Sequence, residues 1–370
     1  MGRREDFHRT LSHMNPNRLI IDFGGNPLSR LEGKSHERLL KYLGLSIEQD
    51  APCSGGIDER ILNMFCCDTR AVGRILRPES SLFQSISDSE YIDEWGIKRR
   101  WTGLYWDIVE SPLRNATMDD LDVYAWPDPL SVDMAEINRF ATKSKYLYEQ
   151  TDYIICAEHP VYGVFELGCW MCGFDEFLYR CAAEPEFVKK FFQIILEYQK
   201  KIIDIYYSAI GKFVHYTSSG DDFATQNGPF MSPAMFTTLI APFFTERITH
   251  TKKYTNASFL HHSCGSVYSL IEELIACGVE ILNPIQPRAR HMEPVKLKAA
   301  YGDKIVFHGG IDTQELLPFA DKTRIEAEVG AVIKALNQDG GYIFAAAHNI
   351  QEDVPPENIV TMLEAANKFR

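Results

Sequence analysis

No stretch of these 370 residues holds an apolar run near the roughly 20 residues that a membrane span needs, so no transmembrane helix is predicted. Basic charge is scarce: 38 Lys and Arg stand against 51 Asp and Glu, a formal net charge of −13. That balance argues against nucleic acid and against an anionic membrane surface as partners, since both need a basic face. The basic start Met1-Gly2-Arg3-Arg4 is not followed by the apolar segment of an export signal, so the expectation is a soluble, cytoplasmic protein. No internal repeat of fixed period and no low-complexity tract interrupts the chain. Nine cysteines, an odd number spread over a long chain, do not make a disulfide framework. They are expected as reduced thiols, most of them buried. Adjacent Cys66 and Cys67 make a poor chelate. Cys169-x-x-Cys172 has redox spacing, but it carries Trp170 and Met171 between the thiols where a helix should begin, and it reads as structural.

What the chain does hold is 45% hydrophobic residues, enough for a large core, and a regular alternation of short apolar runs with amphipathic segments. Residues 3–16 and 34–46 read as helices, with a strand over 19–25 between them that is stopped by Gly24 and Gly25. Residues 50–130 break into short pieces rich in aromatics and proline and read as an ordered cap or insertion. Beyond 130 the order becomes clear. Helix 130–150 is followed by strand 153–158, a further apolar run at 161–166, a helix from about 175 and a long helix over 184–209. The remaining strands are expected over 212–217, 257–262, 279–283, 304–308 and 342–345, with helices over 266–277, 293–300, 323–338 and 356–368. Strands alternating with helices imply right-handed βα units and a parallel sheet. Seven or eight such units predict an α/β fold, a single (β/α)8 TIM barrel, with its site at the C-terminal strand ends.

The residues at those ends are polar: Asp22, Glu158 and His159, Glu166, Asp221 and Asp222, His262 and Cys264, Asn283 and Gln286, His308 and Asp312, and His348. His262-Ser263-Cys264-Gly265 delivers an imidazole and a thiol from one strand end, and the two groups suit zinc. His348 follows the last strand and would arrive beside the first, giving three ligands and an open position, the pattern of a catalytic zinc. The same residues can instead be a hydrogen-bonded histidine and a buried thiol. Asp221 and Asp222 follow Ser218-Ser219-Gly220 on what reads as a loop. Two close carboxylates split their pKa values and can serve as acid, base or cation site, or as a cap and a salt bridge. His308-Gly309-Gly310-Ile311-Asp312 has glycines before a helix but lacks the full phosphate-binding fingerprint.

Gly220-Asp221-Asp222, Met231-Ser232-Pro233, His262-Ser263-Cys264-Gly265, the run 278–287 ending Asn283-Pro284-Ile285-Gln286-Pro287, His308-Gly309-Gly310-Ile311-Asp312 and His348-Asn349-Ile350-Gln351 together resemble the uroporphyrinogen decarboxylase superfamily, and within it the corrinoid-dependent methyltransferases. The resemblance runs from about residue 18 to the end. It implies zinc at His262 and Cys264, with His348 where those methyltransferases carry a second cysteine. It also implies catalytic roles for Asp221, Asp222 and Glu166, and substrate contacts from Asn283, Gln286, His308 and Asp312. The true decarboxylases grip their tetrapyrrole with an arginine-rich N-terminal motif. Here that position reads Arg18-Leu19-Ile20-Ile21-Asp22, without paired arginines. The expected activity is therefore transfer of a methyl group from a small methylated compound, of O-methyl type, to a cob(I)alamin-bearing corrinoid protein, by a homodimeric enzyme. The alternatives are a metal-free decarboxylase of the uroporphyrinogen type and a protein that only binds a corrinoid or other ligand.

Overall fold

The structure, a computed structural model, describes residues 2–48, 50–103 and 105–370. Eight parallel strands form one sheet that curls into a barrel: β1 (Ile20–Ile21), β2 (Thr69–Val72), β3 (Ile154–Glu158), β4 (Tyr216–Gly220), β5 (Ser258–His262), β6 (Ile281–Ile285), β7 (Val306–Ile311) and β8 (Tyr342–Ala346). Their order is β1-β8-β7-β6-β5-β4-β3-β2. The predicted barrel is therefore present. The seam between β1 and β2 is closed by Asp68. Its backbone N–H donates to Ile21 O at 2.9 Å, and its carboxylate accepts the Ile21 N–H at 2.9 Å. One side chain stands where a ladder bond would be.

Strand alternation builds the interior in two levels. The lower is apolar, with Ile20, Ile154, Cys156, Tyr216, Leu260, Ile281, Val306 and Ile343 in one buried cluster beneath Phe7. One step of two residues along the strands, the side chains turn polar: Asp22, Glu158, Ser218, His262, Asn283 and His308. The intervening residues, such as Ile155, Phe259, Leu282, Phe307 and Phe344, face the helices and join the larger core. That core rests on helix Pro185–Ile210, started by Pro185 in its first turn and burying Phe187, Val188, Phe191, Phe192, Ile195, Ile202 and Ile203. Each such side chain stabilises the fold by about 1.5–3 kcal/mol.

Three expectations shift. The stretch 50–130 is not all insertion, because it contains β2. Hydropathy hides this strand, since it carries Arg70. Arg70 is fully buried with its guanidinium on Glu59, on the carbonyls of Cys67 and Thr69, and 3.7 Å from the centre of the Tyr153 ring. The remainder includes a four-stranded antiparallel meander over Gln84–Ser87, Glu90–Ile92, Lys98–Trp101 and Trp106–Glu110. It is tied to the barrel through Trp95 against Tyr198, 4.8 Å between ring centres, and Arg99 over Trp170. The run 161–166 is not a strand, because helix Val164–Cys172 begins inside it. Residues 211–213 form a helical turn, and the strand lies later, so Ser218, Ser219 and Gly220 belong to β4 and not to a loop. Cys169 and Cys172 are free thiols buried on helix Val164–Cys172. Among the described residues no helix is long and apolar enough to cross a membrane.

Candidate functional site

At the C-terminal mouth, β5 ends in His262, and the chain turns at Gly265 with φ of +82°. Any Cβ on Gly265 would stand 2.4 Å from Thr225 O, so glycine is required to bring Cys264 back over the barrel. Gln286 holds this turn, accepting the Gly265 N–H at 2.9 Å. Asp222 accepts the Cys264 N–H at 2.7 Å. His348 comes from the loop after β8. That loop is clasped to the segment after β1 by Asn349, which accepts the Arg30 N–H at 2.9 Å and donates to Glu32 at 2.7 Å. The outcome is convergence: one ligand atom each from His262, Cys264 and His348 lies within 4.8 Å of the others. Cys264 Sγ is 3.3 Å from His262 Nε2, and the two imidazole rings are 5.5 Å apart.

Beside this triad lies a cavity of about 270 Å³, lined by Leu28, Ile75, Glu158, Tyr162, Glu166, Ser218, Asp222, His262 and His348 among others. Its charge is mainly acidic. Glu158 is paired with Arg30 at 3.0 Å, and Asp222 stands 3.7 Å from His262 Nε2. Burial pushes the Glu166 carboxyl up, and the nearby charges of Asp222 and Asp221 add to the shift. Burial also pushes the Cys264 thiol up, while neighbouring His348 pulls the other way.

Not every residue singled out from sequence faces this cavity. Asp221 is buried with both oxygens engaged, accepting the N–H groups of Phe165 at 3.1 Å and Glu166 at 2.8 Å. It caps helix Val164–Cys172 from a different strand, and Gly163 makes room for it, since a Cβ there would lie 2.1 Å from Asp221 Cγ. This cap places Glu166, one helical turn in, at the cavity. Asp312 spends its carboxylate on the N–H groups of Gln314, Glu315 and Leu316. Gln286 holds the Cys264 turn as described. Asn283 and His308 are fully buried and bonded to each other, Asn283 Nδ2 to His308 Nδ1 at 2.7 Å. Asn283, Gln286, His308 and Asp312, expected as substrate contacts, are not among the residues that line this cavity. His159 does border the cavity, but it is buried, bonded to Thr251 at 3.1 Å and packed on Tyr207 and Phe259. Asn349, quoted above only as part of the motif after His348, and Arg30 have roles that the sequence does not announce. Neither sits on a strand, and their roles exist only once the β1 and β8 loops meet.

Residues 110–369 match the family described as Uroporphyrinogen decarboxylase (URO-D). Curated relatives named uroporphyrinogen decarboxylase include one from Pectobacterium carotovorum, 37% identical over 68 residues, which are 18% of this chain and 19% of the relative. Another, from Legionella pneumophila, is 39% identical over 68 residues, again 18% and 19%. The chain thus matches about a fifth of the length of these relatives. Among solved structures, a methyltransferase from Methanosarcina mazei superposes over 100% of this chain and 99% of its own, with a TM-score of 0.65 and 14% identity, a likeness of fold.

Proposed function

The chain belongs to the uroporphyrinogen decarboxylase family, and from that premise we propose that it is a methyltransferase of corrinoid metabolism, taking the methyl group of a small O-methyl compound for a cob(I)alamin carried on a separate corrinoid protein. The observation that carries this reading is the meeting of His262, Cys264 and His348 beside an acidic cavity. Two imidazoles and a thiol fit zinc and leave a coordination position open. Zinc held there supplies a Lewis acid to the heteroatom that gives up the methyl group.

The chain's own groups do the rest. The cavity, about 270 Å³, suits a small compound, and the corrinoid is brought to its mouth by a separate protein. Leu28, Ile75 and Tyr162 give the substrate apolar walls. With both Asp221 oxygens committed to the helix cap, Glu166 is the acid that can donate a proton to the departing oxygen. Asp222 keeps the Cys264 turn in place. A uroporphyrinogen-like substrate, with its many carboxylates, meets the Asp222 carboxylate at this mouth, where like charges repel. Arg30 is already paired with Glu158.

Metal analysis of the purified protein tests the site. One zinc per chain is expected, falling to near zero in His262→Ala and Cys264→Ala. Stoichiometric zinc retained by His262→Ala would sink the assignment. A panel of O-methyl donors, followed by the absorbance change of cob(I)alamin, tests the reaction. Flat traces for every donor together with turnover of uroporphyrinogen would favour the decarboxylase reading.

A further inference from the structure

Behind His262 runs a line of buried polar groups that crosses four strands. His262 Nδ1 meets Asn283 Oδ1 at 2.5 Å. Asn283 Nδ2 meets His308 Nδ1 at 2.7 Å, and His308 Nε2 meets Asp22 Oδ2 at 2.7 Å. The line joins the ends of β5, β6, β7 and β1. Parallel register makes it: His262 and Asn283 are direct ladder partners, and Leu282 pairs Phe307, which puts His308 next to Asn283.

Proton positions follow from the far end. Asp22 is surrounded by donors: the Gly25 N–H at 2.9 Å, the hydroxyls of Thr69 at 2.6 Å and Ser29 at 3.1 Å, and the Asn26 amide. A carboxylate so placed is an acceptor only, so His308 Nε2 carries a proton and donates it. Asn26 Nδ2 and His308 Nε2 lie 3.2 Å apart because both point at the same Asp22 oxygen. The Asn283 amide then donates to the bare Nδ1 of His308, and its oxygen is left to accept from His262 Nδ1–H. His262 Nε2 is left without a proton, aimed at Cys264 Sγ 3.3 Å away.

We propose that Asp22, His308 and Asn283 act as a positioning relay that locks His262 in the Nδ1–H tautomer and so presents a bare Nε2 to a cation at the barrel mouth. Its consequence for zinc rests on the function proposed above; the tautomer itself does not. Outer partners of this kind orient ligand imidazoles and typically change metal affinity by about 10–100-fold when removed.

The test has two arms. In metal-free, 15N-labelled protein, long-range 15N–1H correlation reads the His262 tautomer. Nδ1–H is expected; a protonated Nε2 with a bare Nδ1 would overturn the proposal, since the Asn283 amide would then be turned the other way. In the second arm, zinc competition against a chromophoric chelator is expected to show about 10–100-fold weaker binding for Asn283→Ala. Asn283→Asp keeps an acceptor for His262 Nδ1–H but loses the donor to His308 Nδ1, and is expected to bind zinc more tightly than Asn283→Ala. Equal affinity for Asn283→Ala and wild type would also overturn it. If Asn283→Ala does not fold, the wild-type tautomer decides. If the wild type binds no zinc, the metal reading fails while the first arm still decides the relay.

Discussion

Asp221 and Asp222 are consecutive, and the end of β4 turns them to opposite tasks. Asp221 is buried, caps helix Val164–Cys172 and faces the buried guanidinium of Arg247. Asp222 is partly exposed, holds the Cys264 N–H and borders the cavity. Removing Asp221 strips a helix of its cap and leaves a buried cation uncompensated. Asp221→Ala is expected to lower unfolding free energy by about 3–5 kcal/mol, with a smaller loss for Asp221→Asn, which keeps one acceptor. Asp222→Ala loses one hydrogen bond and should cost about 1 kcal/mol, while weakening zinc binding. Urea unfolding of the three variants checks this; equal losses at 221 and 222 would contradict the division of roles.

Between elements, the instructive contact joins β3 to the chain entering β4. The Ile155 N–H donates to the ring of His215 at 3.0 Å, and the His215 N–H donates to Ile155 O at 2.9 Å. A side chain again replaces a ladder acceptor, which requires His215 to be neutral. Burial lowers it from 6.5 to about 4, and nearby Arg4 adds to the effect. The sign follows directly. The folded state resists protonation, so His215 contributes fully above pH 6.5, and that contribution is lost as pH falls from 6.5 towards 4. The loss amounts to about 3 kcal/mol at most. The difference between the urea midpoints at pH 7 and pH 4.5 should be smaller in His215→Gln than in the wild type. Identical pH dependence in the two would remove His215 as the cause.

At the level of the whole barrel, closure and the chain's two ends depend on Asp68. Its carboxylate takes the Ile21 N–H across the seam and meets Arg3 at 3.2 Å, Arg18 at 3.1 Å and Arg370 at 2.7 Å. One buried side chain thus joins the first helix, the β1–β2 seam and the last residue. Taking it away leaves the seam short of an acceptor and three cations without their shared partner. Asp68→Ala is expected to cost about 3–5 kcal/mol and to lower the thermal midpoint. Asp68→Asn should cost less, because its amide oxygen can still accept the Ile21 N–H. Because Asp68 lies on the face opposite the mouth, zinc binding by the folded fraction should be unchanged in both. A fall in zinc affinity matching the fall in stability would show that the two ends of the barrel are coupled.

Much of this was legible along the chain. Apolar runs ending in Asp22, Glu158, His262, Asn283 and His308 announced a parallel barrel with a polar mouth, because a period of two in a strand commits alternate residues to one face whatever surrounds them. His262-x-Cys264 with a glycine after it announced two groups at one point, since backbone geometry over three residues is local. β2 was hidden, because Asp68 and Arg70 are charged and only partners distant in sequence let them be buried. Glu166 was misplaced on a strand end, because the helix that carries it starts on a cap supplied 55 residues later by Asp221. Which polar strand ends face the cavity and which bond to each other was likewise a matter of register between strands. Local periodicity determines what points inward; only the closed barrel decides what it meets there, and so brings His262, Cys264 and His348 together and lines up Asp22, His308 and Asn283 behind them.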